Sequence, residues 1–491
     1  MKSSRRAYAR WWIGTGLSLS VLLVALGCGS GGSNVNDASE LARVDTASVA
    51  GPIDPSRVTD AETVPRDQYG TSNTVDALIF PSATADERAH FARGLALFSN
   101  PALTSAAGQG PYFNETTCLG CHTTQLSGRV PTPASRGAAG HNVFLFGEFT
   151  PSTGAFNSLS SLGGPVFHRQ HLAGFPDQVI PPLENPADIM VTGGREGMPY
   201  IGRGLMEAVP DDEILSLRDP SVSGLVDVNG NPIPGFENRN AEAPAFVGAS
   251  SVRRLSRFGL RAASPSLLQL ILAGSQQEVG LTSPFTPNVT VASGKPNPVP
   301  AAGLTTQDVR DLRTMIRLVA PPARAPIVPG SSEDRGRILF GVDYTQPFGL
   351  AKDRQCNCVS CHVPFMTTGA SPAEVGASHL SNKRFYLFSD LLIHDTGIAD
   401  ADNVLNNQGR ANGKQWRTPP LMGIGLIGPP FFHDGRVMGA TIESALDASI
   451  DAHDNNGADI DEATDSVTRY RALPATGINS QEDIINFMKT L

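Results

Sequence analysis

The sequence predicts a mainly α, loop-rich fold in two similar halves, the first enlarged by a long insertion, and three observations carry that expectation. One pattern occurs twice. Ala92-Arg93-Gly94-Leu95-Ala96-Leu97-Phe98 lies before Cys118-Leu119-Gly120-Cys121-His122 at nearly the distance at which Asp334-Arg335-Gly336-Arg337-Ile338-Leu339-Phe340 lies before Cys358-Val359-Ser360-Cys361-His362. Each half also closes on a capped, apolar-periodic run. Thr305-Thr306-Gln307-Asp308 opens one through Val309, Leu312, Ile316 and Val319, and Ser480-Gln481-Glu482-Asp483 opens the other through Ile484, Phe487, Met488 and Leu491. The third observation is 50 Gly and 38 Pro in 491 residues, which imply much turn and loop between the helices.

Taken in chain order, residues 1–27 are expected to be a signal peptide. Lys2, Arg5, Arg6 and Arg10 precede an apolar run from Trp11 that ends in Ala25-Leu26-Gly27-Cys28, the pattern of a bacterial lipoprotein signal. A lipid on Cys28 would then moor the protein to a bacterial membrane, most simply the outer one, with its bulk in the periplasm or at the cell surface. The alternative, an uncleaved anchor, would be at the short limit for a span. Residues 28–75 open on a stretch rich in Gly, Ser, Asn, Asp and Ala without periodicity and are expected to be a flexible tether. Ala320-Pro321-Pro322-Ala323-Arg324-Ala325-Pro326 is the natural linker, dividing a first domain, 76–325, from a second, 326–491. In both repeats Gly and Phe stand at i and i+4 on one helix face, where Gly permits close backbone approach and Phe can cover a flat group.

Composition narrows the classes. There are 38 Lys+Arg against 47 Asp+Glu (net −9), 40% hydrophobic and 17% charged residues. These values favour a packed core and argue against disorder and against a nucleic-acid partner. The acidic balance favours basic or dipolar redox partners.

Four of the six cysteines belong to the two Cys-x-x-Cys-His pentapeptides. Two thiols three positions apart suit the two vinyl groups of a haem, and the adjacent His offers an imidazole to its iron. A structural zinc site would need both pairs to converge, and a thioredoxin-like pair would need a βαβ setting. Each half is therefore expected to be a cytochrome c-like domain with one covalently bound haem c, held by Cys118, Cys121 and His122 in the first and by Cys358, Cys361 and His362 in the second. Cys356 is left as a free thiol.

Further segments extend the pattern: Gly110-Pro111-Tyr112-Phe113-Asn114, Gly204-Leu205-Met206-Glu207, Arg257-Phe258-Gly259-Leu260-Arg261, Glu278-Val279-Gly280, Asp390-Leu391-Leu392-Ile393-His394, Trp416-Arg417-Thr418-Pro419-Pro420-Leu421 and Phe432-His433-Asp434-Gly435-Arg436. On these residues the chain, from roughly Val75 to Leu491, resembles the bacterial di-haem oxidoreductases of the peroxidase type. Those are similar in turn to di-haem cytochrome c peroxidases and the methylamine-utilisation di-haem enzyme.

The resemblance implies a division of labour. The haem of His362, with a second protein ligand, stores or relays an electron received from a redox partner protein or small donor. The haem of His122 keeps or opens a position for hydrogen peroxide. The acid–base pair of the peroxidases falls on Gln269 and Glu278, with Glu207, paired to Arg203, as a weaker alternative to Glu278. The second ligand of the His362 haem falls near Ser449. His453, one helical turn further on, is the choice over Met438, Met422, His394 and His433, and His433 is expected instead to orient its neighbours through hydrogen bonds. His141, His168 and His171 are candidates for a displaceable ligand at the first haem. A bridging Ca2+ near Gly428-Pro429-Pro430 is a further option, although no cluster of carboxylates argues for it.

Leu260 stands where relatives commonly place a tryptophan between the haems, and Trp416 is the one tryptophan outside the signal. A peroxidase is the leading expectation. The alternatives are a non-enzymatic electron-transfer cytochrome and an enzyme cleaving an organic substrate, as the similar di-haem rubber-cleaving enzymes do.

Overall fold

A computed structural model describes residues 50–69, 73–99, 110–123, 143–183, 185–241, 253–286, 303–397, 402–405, 408–454 and 461–491. The signal, Cys28 and His141 lie outside the described residues. In the first half the chain forms β1 (Thr59–Asp60), α1 (Ala85–Ser99), β2 (Tyr112–Phe113), β3 (Val143–Thr150), β4 (Ala155–Asn157), β5 (Val166–Phe167), β6 (Gln170–His171) and β7 (Ile189–Arg195). There follow α2 (Arg203–Glu207), β8 (Asn238–Ala241), β9 (Arg253–Ser256), α3 (Leu267–Gln277) and α4 (Thr306–Arg317). The second half forms α5 (Ser332–Phe340), β10 (Met366–Thr367), β11 (Lys383–Phe385), β12 (Ile393–Asp395), β13 (Gln415–Arg417), α6 (Ile442–Asp451), α7 (Thr464–Arg471) and α8 (Gln481–Met488). Single-turn helices fill several of the connections.

The duplication predicted from sequence is present as two helix pairs. α1 crosses α4 so closely that a Cβ on Gly94 would lie 2.3 Å from the Asp311 carbonyl oxygen. α5 crosses α8 so closely that one on Gly336 would lie 1.8 Å from that of Asp483. The residue before each glycine ties the crossing: Arg93 Nε pairs with Asp311 at 2.9 Å and Arg335 Nη2 with Asp483 at 2.8 Å. Thr305 and Ser480 cap α4 and α8 through capping boxes, as their sequences predict. Asp311 and Asp483 occupy equivalent places at the crossings although they lie at different distances from their caps, so α4 begins about one turn earlier than its counterpart.

The expectation of a mainly α fold fails. Among the described residues 32% are helix and 16% strand, a mixed α/β architecture. The strands concentrate in the insertion. Val143-Phe144-Leu145-Phe146 is an aromatic and β-branched run that suits a pleated surface. β3 pairs antiparallel with β7 from Val143↔Arg195 to Phe149↔Ile189, and its other edge takes β4 and β5. Leu145, Val166, Val191 and Val404 form a small core on this sheet.

Residues 50–69 are docked rather than tethering. β1 adds in parallel to β11 (Thr59↔Lys383), Val64 is buried, and Arg66 donates to the Thr490 carbonyl at 3.2 Å. The start of the Pro-rich linker is likewise part of the interior: Ala320, Pro321 and Pro322 are buried, and the Ala320 N–H donates to the Leu78 carbonyl at 2.8 Å. One main hydrophobic core includes residues of both halves, from Phe91 and Met315 to Phe340 and Phe487. No described helix is long and apolar enough to cross a membrane.

Candidate functional site

Each pentapeptide is wound into a tight turn. The 3-10 turns Cys118–Gly120 and Cys358–Ser360 are followed by a histidine whose N–H donates to the carbonyl of the first cysteine, 2.9 Å in both cases. The helix-pair frame presents a phenylalanine to each ring. Phe98 lies 5.9 Å from His122 and Phe340 lies 6.3 Å from His362, centre to centre. The Gly and Phe of each repeat therefore have separate duties: Gly sets the helix crossing and Phe reaches the histidine.

Around His362 the geometry is that of an imidazole prepared to ligate. Its Nδ1–H donates to the Phe388 carbonyl at 3.0 Å, which leaves Nε2 as the lone-pair nitrogen. Burial pushes the ring down to about 4, so it is neutral. Just beyond α6, His453 repeats the device, its Nδ1–H donating to the Ser449 carbonyl at 2.7 Å. The two rings are 6.4 Å apart, centre to centre, and inclined at 77°. With metal–nitrogen bonds of about 2 Å on either side, two imidazoles bound to one metal would have ring centres about 6 Å apart. His362, His453, Phe340, Met422, Trp416 and Arg417 line one apolar cavity.

Of the other candidates for the second ligand, Met422 lines the same cavity and the rest are differently engaged. His394 is held at Nε2 by Asp390 and at Nδ1 by Glu462, 2.7 Å each. Met438 is exposed. His433 stacks on Trp416 with ring centres 3.6 Å apart, so packing fixes its ring in addition to any hydrogen bonds. The one group of metal-ligating side chains gathered among the described residues is Cys361, Asp390 and His394, and no such group surrounds Gly428-Pro429-Pro430.

His122 is furnished otherwise. Tyr200 packs on it at 4.4 Å, its buried Nδ1 has no hydrogen-bond partner among the described residues, and burial with nearby Arg203 pushes the ring down to about 3, with the Met198 backbone acting against them. Glu278 caps the end of α3, and its Oε2 accepts from Asn114 Nδ2 at 2.8 Å while its carbonyl accepts from the Asn114 N–H at 2.7 Å. Burial pushes the Glu278 carboxyl up to about 7, with Asn114 and Arg169 acting against it. It is close enough to Cys121 for its charge to raise that thiol further.

Gln269 is not brought to Glu278. It sits in the first turn of α3, so the helix rise separates the two by about 14 Å. Its Oε1 is buried with no partner. Glu207 pairs with Arg317 Nε at 2.5 Å rather than with Arg203. His168 has both nitrogens engaged, Nε2 with the Gln277 carbonyl at 2.9 Å and Nδ1 with Gln178 at 3.0 Å, and His171 Nε2 meets Asp177 at 3.0 Å.

The residues present fit two haems. The cysteines of both turns form no disulfide among the described residues. Burial pushes Cys118 up to about 12 and holds Cys358 well above the ordinary thiol range. Reduced thiols three positions apart beside an imidazole, once in each half, suit the two thioether bonds of a haem. An orphaned imidazole nitrogen at the first turn and an apolar cavity beside the second point the same way. Cys356 is buried, its thiol pushed up to about 11.

Sequence reasoning passed over Tyr200, which no pattern marks, and the pairing of Asn114 with Glu278, although both stand in segments it singled out.

A duplicated frame that presents one histidine turn per half defines a class, the di-haem proteins. Residues 184–305 and 349–467 match the family described as "di-haem oxidoreductase, putative peroxidase", and the chain belongs to that family. Among solved structures it is similar to hydrazine synthase from Kuenenia stuttgartiensis, pressurised with xenon (13% identity, 90% of this chain and 99% of that one, TM-score 0.32). It is also similar to the diheme peroxidase BthA from Burkholderia thailandensis E264 (15% identity, 90% and 93%, TM-score 0.36). No curated protein matches the chain.

Proposed function

We propose that the chain is an extracytoplasmic di-haem c-type oxidoreductase that reduces hydrogen peroxide at the first haem, with electrons from a redox partner relayed through the second. The observation that carries this is the inequality of the two histidine turns. His362 faces a second imidazole, that of His453, at 6.4 Å, whereas the ring contacts of His122 among the described residues are Phe98 and Tyr200. In this account Cys118 and Cys121, and Cys358 and Cys361, anchor the haems, His122 and His362 are their first ligands, and His453 is the second ligand of the latter.

Bound haem supplies an iron that exchanges electrons and, at the first site, a coordination position for peroxide. Glu278 supplies the proton chemistry. A carboxyl with a pKa of about 7 exists in both forms near neutrality, so it can take a proton and give one back. Asn114 Nδ2 keeps the same oxygen in place throughout. Gln269, a helix length away, is proposed only to line the far end of α3. The signal-like segment ending at Cys28 supports export and lipid anchoring.

The test uses the haem-loaded protein with hydrogen peroxide and a reduced electron donor. The wild type should consume peroxide. Glu278→Gln should keep both haems by pyridine haemochrome assay and slow turnover by about 10²–10⁴-fold. A doubly loaded wild type without turnover would instead be an electron carrier.

A further inference from the structure

Four buried arginines of this fold are paired with a carboxylate, whereas among the described residues Arg203 and Arg417 are not. Arg195 meets Asp402 at 2.7 Å, Arg317 meets Glu207 at 2.5 Å, Arg261 lies 3.2 Å from Asp402, and Arg257 pairs with Asp211. Arg203 and Arg417 are each 3% exposed, and no ion pair holds either among the described residues. Arg203 donates from Nε to the Pro199 carbonyl at 2.8 Å and from Nη1 to Met206 Sδ at 3.5 Å. Arg417 donates to the Gly259 and Thr418 carbonyls at 3.0 and 2.8 Å and to Met198 Sδ at 3.7 Å. These partners carry no charge. Asp390, the acid whose field reaches Arg417, is already held by His394 at 2.7 Å and by the Leu392 N–H at 3.0 Å.

The two guanidiniums line the same cavity as Cys358, Cys361 and His362, and Arg203 acts electrostatically on His122 and Tyr200 at the first turn. They also repel each other, and burial with that repulsion lowers Arg417 to about 9, while burial lowers Arg203 to about 10. A buried cation without a counter-charge is costly, and two lining one apolar cavity, to which Glu196 brings a single carboxylate, call for further anions. The planar fork of arginine matches a carboxylate bidentately.

Resting on the di-haem account above, we infer that Arg203 and Arg417 form a carboxylate clamp between the two histidine turns, which takes the propionate groups of the bound haems. The clamp neutralises the cavity when the haems are in place. By offsetting the negative charge of the propionates it would favour the reduced, less positive state of the haems.

The test is spectroelectrochemical titration of holoprotein whose mass shows two haems. Arg417→Gln and Arg203→Gln should lower the midpoint potential of at least one haem, Arg417→Lys should stay nearer the wild type, and sodium acetate should leave the wild-type potentials unmoved because propionates fill the clamp. If Arg417→Gln does not accumulate, Arg203→Gln and Arg417→Lys carry the comparison. Unmoved potentials in the glutamine variants overturn the inference. A saturable acetate shift in the wild type also overturns it and assigns the arginines to a soluble carboxylate. A wild type with fewer than two haems fails the di-haem account itself.

Discussion

Around His362 the fold places a second histidine, and around His122 a tyrosine and a half-buried glutamic acid, yet the helix pairs that carry the two turns match residue for residue at their crossings. Arg93-Gly94 faces Asp311 as Arg335-Gly336 faces Asp483, and Phe98 approaches His122 as Phe340 approaches His362. What distinguishes the halves enters from outside the frame: α6 leads to His453, while α3 ends at Glu278, held by Asn114 beside β2. On the proposed reading, a duplicated scaffold thus gives one site that holds its cofactor on two sides and another that keeps acid–base chemistry next to it. The specialisation lies in the added segments.

The largest expected break in this contrast comes from His453→Ala. It should abolish the low-spin spectrum of the second haem, leave that of the first unchanged, and stop peroxide turnover that depends on an external donor, as absorption spectra and stopped-flow kinetics would show. Glu278→Gln acts on the other half only, slowing turnover as given above while the second haem's spectrum is untouched.

The pH profile sharpens the same point. A base that must be ionised gives turnover that rises with pH, half-complete near 7, and the inflection should vanish in Glu278→Gln. Stability runs oppositely. Between the ordinary carboxylate range and about 7 the folded protein holds a proton that the unfolded chain has released, so stability falls as pH rises through that window. Thermal melts of Glu278→Gln should lack that part of the fall.

The smallest effects concern what the halves share. Gly94→Ala and Gly336→Ala both force a Cβ onto backbone and should each cost about 1–3 kcal/mol in denaturant titrations. Gly336→Ala should cost more, because the clash distance is 1.8 Å against 2.3 Å.

Much of this contrast is legible in the sequence where it is local. The two turns, their capped closing helices and the Gly and Phe faces follow from short-range spacing, and His453 follows from a one-turn step along α6 from Ser449. The sheet does not. β3 is a strand-like run, but its main partner begins only at Ile189, beyond β4, β5 and β6, and helix periodicity gives no hint of it. The docking of residues 50–69 is equally hidden, since β1 has two residues and its partner β11 lies in the other half. Glu207 finds Arg317 rather than its near neighbour Arg203 because α2 packs on α4. Gln269 and Glu278, close in sequence, are separated because the helix between them is straight enough to place them at opposite ends.

Electron paramagnetic resonance of the ferric protein, with and without cyanide, on material shown by mass to carry two haems, tests the inequality of the sites most directly. The account predicts one low-spin signal that cyanide leaves alone and a second haem whose signal cyanide changes. Two low-spin signals indifferent to cyanide in every oxidation state would contradict it.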